Sequence, residues 1–294
     1  MMYFVLFGIA WLVAWLPLRA LYLFSDIAYF IVYHLVKYRR KIVWQNLRSS
    51  FPQKSEKELR TIERKFYRFF CDIFIETIKK IHLSEKQMRR RFEYTNQNAV
   101  LQQFNAGKSI ILMTAHFGNW EWFSSFTTHI SDNFRVAQVY QQLHSQSFDR
   151  FMLTLRSKFR TVNIDKKNLL RQMIQMRNDN TPTLYGFLSD QSPNSRDAKK
   201  AGMMFLNQNT PILLGAEKVA QKFDFPVFYG KMTRKKRGYY RCEFVPVSLK
   251  PNECDEYEIT KQFMSLLEND IYRQPEIWLW THRRWKYVTD KNLI

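Results

Sequence analysis

Residues 109–122 read SIILMTAHFGNWEW: an uncharged, largely β-branched run with the composition of a buried strand, ending on a histidine that a carboxylate follows five positions later. Inside one regular helix a five-residue step would swing Glu121 roughly 140° away from His116, so the two side chains meet only across a break. A turn at His116 supplies that break, with Gly118 giving conformational freedom and Asn119 capping a helix whose first turn carries Glu121 back toward the imidazole. A carboxylate so placed fixes the ring tautomer and steadies the imidazolium, leaving the other ring nitrogen to take a proton from a hydroxyl. Backbone N–H groups at the helix start are candidate donors to a developing oxyanion. A histidine and a glutamate at this spacing, taken alone, favour a capped helix beside a satisfied imidazole; the full heptapeptide HFGNWEW changes that.

Around this stretch, strand-like runs at 109–114, 134–140, 161–164, 183–188, 226–232 and 239–247 alternate with helical ones, which is α/β ordering. The last two runs are joined by the basic turn TRKKRG and read as a hairpin, so the expected sheet is mixed but mostly parallel, flanked by helices. Upstream, Ser55 and Glu58 form a capping box, and Leu59, Ile62, Phe66, Phe69, Ile73 and Thr77 recur at helical spacing; the stripe Phe66, Phe69, Phe70 and Phe74 is expected to face the core. No linker or repeat divides residues 45–294, which are expected to form one domain.

The chain has 294 residues, 46 Lys+Arg against 26 Asp+Glu and a net charge of +20, which favours a polyanionic partner, either a bilayer or a nucleic acid. Cys71, Cys242 and Cys254 have no metal-ligand spacing and leave an odd thiol, so a reducing compartment is expected and no metal ion or cofactor is called for. Residues 3–18 carry no charge and the chain stays apolar until the basic cluster KYRRK at 37–41. Residues 1–44 are therefore expected to form a membrane anchor, broken by Pro17 and Arg19 into an inserted and an interfacial helix, with the positive cluster placing the rest on the cytoplasmic side. A buried hydrophobic hairpin is the competing account.

Five blocks give the sequence a family resemblance: NLRSSFP at 46–52, HFGNWEW at 116–122, LYGFLSDQSPN at 184–194, MFLNQNTPILLGAEKVA at 204–220 and PEIWLWTHRRWK at 275–286. Together they resemble the bacterial late acyltransferases of lipid A biosynthesis, the lauroyl and myristoyl transferases within the lysophospholipid acyltransferase superfamily. The resemblance implies a glycerol-phosphate-acyltransferase-like fold and transfer of a fatty acyl chain from an acyl carrier protein or coenzyme A thioester to a hydroxyl of a lipid A precursor, at the inner membrane. It assigns His116 as general base and Glu121 as the acid that orients it, and it puts Asn119, Arg156, Asp190, Gln191 and Asn207 at the substrate site. An acidic carrier protein suits a chain of charge +20.

Some positions depart from the family. Gln141 stands where many members have an arginine after the strand tyrosine, and a basic, polar segment at 192–200 replaces an aromatic-rich loop. Arg156 is a candidate substitute cation, pairing with Asp190 or binding an acceptor phosphate. Thr210, followed by Pro211, reads as a helix start. The departures keep open a lysophospholipid, aminolipid or other glycolipid acceptor, and a non-catalytic membrane-binding homologue is the rival of a different class. A nucleic-acid partner is not expected, because Trp interleaved with Arg and Lys at 278–286 suits a bilayer interface as well as a phosphate backbone.

Overall fold

A computed structural model describes residues 2–287; Met1 and residues 288–294, the last of the expected 45–294 domain, lie outside the described residues. The chain opens with α1 (Met2–Trp15) and α2 (Leu18–Phe30), the latter continued by a π-helical turn (Ile31–Leu35). Then come α3 (Arg40–Ser50), α4 (Glu56–Lys79), α5 (Glu85–Arg91), β1 (Phe92–Thr95), α6 (Gln97–Asn105) and β2 (Ile110–Thr114), and a 3-10 helix (Trp120–His129). The second half runs β3 (Arg135–Tyr140), α7 (Gln146–Arg156), β4 (Val162–Asp165), α8 (Leu169–Asn178), β5 (Thr183–Leu188), β6 (Gly202–Phe205), β7 (Gln208–Pro211), α9 (Gly215–Phe223), β8 (Val227–Lys236), β9 (Tyr239–Ser248) and α10 (Glu258–Arg273).

A single sheet carries the site, in the order β1-β9-β8-β2-β5-β3-β4. Every neighbouring pair is parallel except the β8–β9 hairpin, as the basic turn between those runs predicts. All five residues of β2 are buried, because parallel strands need helices over both faces. The short edge strand β1 and the small hairpin β6–β7 were not legible as strands. Thr210 is a correction: it sits in β7 and does not start a helix, its hydroxyl donating to the Gln208 carbonyl at 2.8 Å and accepting from Trp285 Nε1 at 2.7 Å.

The capping box of α4 forms as expected, and the helix buries Leu59, Ile62, Phe66, Phe69, Ile73 and Thr77 against the core. Phe74 does not join them and is 54% exposed, since eight steps beyond Phe66 carry it about 80° off the buried stripe. At the N-terminus the helices separate at Pro17, as expected, but the longest apolar helical run is Leu18–Leu35 and not residues 3–18. That run has 18 residues and a mean hydropathy of 1.2, long and apolar enough to cross a membrane by length and composition alone. One face of α2 packs on α4, where Ser25 donates to Asp72 and Tyr22 to Glu76, while Leu23, Phe24, Ile27 and Phe30 stay exposed.

Gly118 has a φ of +64°, and a Cβ there would overlap the buried Met232 side chain. Gly118→Ala is expected to cost about 1–3 kcal/mol, read as a lower denaturant midpoint; an unchanged midpoint would show that the turn does not need the left-handed conformation.

Candidate active site

Parallel pairing sets Thr114, the last residue of β2, beside Leu188, the last residue of β5, and Ser189 N–H bonds the Thr114 carbonyl at 2.9 Å. Carrying that register forward places His116 opposite Asp190 just beyond the carboxyl ends of adjacent strands, where open α/β sheets form their ligand crevices. The two side chains meet there. His116 Nδ1 lies 2.7 Å from Asp190 Oδ1, and the His116 backbone N–H donates to Oδ2 at 3.0 Å. Trp278 Nε1 gives Oδ2 a further bond at 2.9 Å. With Nδ1 carrying the proton donated to Asp190, Nε2 is left as a lone-pair acceptor, and the Gln191 amide sits 3.2 Å from it. Burial pushes the Asp190 carboxyl up, but the His116 ring and these hydrogen bonds outweigh it and hold the group below the usual carboxylate range.

The expectation that Glu121 orients the imidazole is corrected here, because the bond to Nδ1 comes from Asp190 and both Glu121 oxygens are engaged by Arg156. Arg156 Nε reaches Oε2 at 3.0 Å and Nη2 reaches Oε1 at 2.6 Å, so Arg156 pairs with Glu121 and not with Asp190. Burial would raise the Glu121 carboxyl; the Arg156 charge reverses this, and His116 ranks behind both Arg156 and Lys80 in its effect. The helix that carries Glu121 is a 3-10 helix from Trp120, which changes the direction a first-turn side chain takes. Lys80, which nothing in the sequence singled out, is buried under this helix and donates to the Glu121 carbonyl at 3.0 Å and to the Ser124 hydroxyl.

Asn119 caps the 3-10 helix as expected, accepting from Trp122 N–H at 3.1 Å, but it is fully buried and its amide donates to Glu76 Oε2 at 2.6 Å. It therefore positions the turn and offers nothing to a substrate; this corrects its expected binding role, and the Trp122 amide is likewise spent on the cap. Asn207 is also corrected: its amide bonds the Ser50 carbonyl at 3.0 Å and the Tyr272 hydroxyl at 3.3 Å, tying the β6–β7 turn to α3 and α10. Of the expected residues, the structure brings together His116, Asp190 and Gln191, with Glu121 and Arg156 as a neighbouring pair.

The segment at 275–286 proves to be a strap over the turn that carries His116. Gly118 N–H bonds the Ile277 carbonyl at 2.9 Å and Leu279 N–H bonds the His116 carbonyl at 3.0 Å. Asn46 clasps the strap from α3 through the Trp280 and His282 carbonyls at 2.9 and 3.0 Å, so the first and last family blocks are in contact. Trp278 is a site residue the sequence did not flag. His282 accepts from Ser192 N–H at 3.2 Å, and burial pushes it down to about 4, so it is neutral and structural. Among the described residues no three His, Cys, Asp or Glu side chains group as metal ligands.

The sequence matches the family described as bacterial lipid A biosynthesis acyltransferase over residues 1–287. The chain belongs to that family. It is an enzyme, an acyltransferase. No curated protein matches it at a significant level. The crystal structure of the 1-acyl-sn-glycerophosphate (LPA) acyltransferase PlsC from Thermotoga maritima is similar at 10% identity and a TM-score of 0.37, over 89% of this chain and 97% of that one.

Asp190→Asn is expected to lower the acyltransferase kcat by about ten-thousandfold, because the imidazole loses the carboxylate that fixes its tautomer. Glu121→Gln should lower kcat less, and the reverse order would return the orienting role to Glu121. Burial pushes Lys80 down from 10.5 to about 7, against the pull of Glu121. The unfolded chain then binds more protons across that interval and stability rises with pH through it. Wild type should therefore gain thermal stability relative to Lys80→Met as pH rises through the interval; a gap independent of pH would show an ordinary lysine.

Proposed function

We propose that the acyltransferase moves a fatty acyl chain from the thioester of an acyl carrier protein, or of coenzyme A, to a hydroxyl of a lipid A precursor. The observation that carries the chemistry is the 2.7 Å contact between His116 Nδ1 and Asp190, which leaves Nε2 as the base. The Gln191 amide occupies the place beside Nε2 that an acceptor hydroxyl would take. Nε2 removes the hydroxyl proton as the oxygen attacks the thioester carbonyl, Asp190 steadies the imidazolium, and the C–S bond breaks as the carrier sulfur leaves with that proton. No enzyme nucleophile is needed, because a thioester is already activated. The bidentate pair of Arg156 with Glu121 fixes the helix that follows the His116 turn.

Residues 1–44 act as the anchor and residues 45–294 as the catalytic domain, at the cytoplasmic face of the inner membrane. The support is the row of exposed apolar side chains on α1 and α2, including Phe4, Ile9, Leu12, Trp15, Leu23 and Ile27. The +20 charge favours both an anionic bilayer surface and an acidic carrier protein as donor.

Purified enzyme in detergent, given acyl carrier thioester and a tetra-acylated lipid A precursor, should release free carrier thiol and raise the precursor mass by one acyl group. His116→Ala should abolish both signals while the protein stays folded. Transfer to lysophospholipid alone would overturn the acceptor, and full activity in His116→Ala would overturn the base.

A further inference from the structure

On the face where α2, α4 and the β8–β9 hairpin meet, a cavity of about 620 Å³ is lined by Asp26, Tyr29, Phe30, Lys65, Arg68, Asp72, Arg234, Arg237 and Glu276. Its base is a set of satisfied ion pairs. The buried Asp72 takes Arg234 Nη2 at 2.8 Å and Arg237 Nη2 at 2.6 Å, and Arg237 reaches on to Asp26 at 2.7 Å. Its rim differs: Lys65 and Arg68 are exposed and make no ion pair or hydrogen bond among the described residues, and Arg68 lies 5.1 Å over the Tyr29 ring. Arg234 Nε is buried without a hydrogen-bond partner. Four cations against three carboxylates leave the lining with a net charge of +1, which matches one phosphodiester.

What borders the cavity decides the source of that phosphate. Phe30 lines it and is itself exposed, continuing the exposed stripe of Leu23 and Ile27 along α2. A ligand whose phosphate meets Lys65 and Arg68 can therefore lay apolar chains along α2 without leaving its headgroup, an arrangement open to a bilayer lipid and useless to a free anion. We propose that this cavity binds the headgroup phosphate of an anionic glycerophospholipid, fixing the orientation of the catalytic domain on the membrane. The inference rests on the membrane-surface role assigned above to α1 and α2. None of its lining residues is among those that bond the His116 side chain, and it takes no part in the proposed chemistry.

The test is co-sedimentation of the full-length protein with vesicles of phosphatidylcholine alone and of phosphatidylcholine mixed with phosphatidylglycerol. Lys65→Gln/Arg68→Gln should weaken partitioning onto the mixed vesicles by about tenfold and leave binding to phosphatidylcholine unchanged. The control is Lys86→Gln/Arg90→Gln, which removes the same charge from the exposed face of α5 and should have little effect. Equal losses in both pairs would mean a diffuse field and no site, and no loss in the first pair would remove Lys65 and Arg68 from the binding. Complete displacement from the vesicles by soluble glycerophosphoglycerol would make the ligand a free phosphate ester and overturn the lipid; little displacement supports it. Acyl transfer in detergent micelles, which needs no bilayer, should be unchanged in the first pair. An inactive wild type there would sink the acyl-transfer proposal while leaving the vesicle result standing.

Discussion

The parallel pairing of β2 with β5 is the constraint on which the site depends. Thr114 stands beside Leu188, so the residues just past each strand end face one another, and the sheet brings an imidazole to a carboxylate distant in sequence. An ionised, nearly buried carboxylate is costly unless its oxygens are bonded. Asp190 meets that cost with the His116 ring, the His116 backbone and the Trp278 indole. The strap that carries Trp278 also fixes both ends of the turn, through His116 and Gly118, so one segment holds the imidazole and its carboxylate in register.

A second buried group ties this turn to the N-terminal helices. Glu76, on α4, accepts from Tyr22 of α2 at 2.9 Å, from Tyr240 of β9 at 2.8 Å and from Asn119 of the turn at 2.6 Å. Its backbone carbonyl accepts from Trp122 Nε1 at 3.1 Å. Burial, with Asp72 nearby, pushes the carboxyl up to about 7. Three donors on separate elements converge on one side chain, so α2, the sheet and the His116 turn are held as a unit.

What the sequence made legible was local. The strand at 109–114, the turn at Gly118, the Asn119 cap and the Ser55–Glu58 box all depend on neighbours a few residues apart, and all appear in the structure. The acid partner of His116 depends on which strands lie side by side, which no local pattern carries. Glu121 took the role by nearness in sequence, yet Arg156, from α7, claims both of its oxygens. Thr210 and Pro211 have the chemistry of a helix start and sit in a hairpin, because Trp285 supplies a tertiary partner for the hydroxyl. Asn119 and Asn207 matched family blocks, and their amides turned out to be spent on distant protein groups. Asp190 and Gln191 were placed at the site by their block alone; the polar run Ser189, Asp190 and Gln191 directly after a buried strand was the available signal.

The bond to Asp190 holds His116 with its proton on Nδ1. Nitrogen-15 NMR of histidine-labelled enzyme reads that tautomer directly. A protonated Nδ1 and an unprotonated Nε2 are expected for His116 in the neutral ring, with the pattern lost in Asp190→Asn and kept in Glu121→Gln. A proton resident on Nε2, or a spectrum that follows Glu121 instead of Asp190, would contradict it.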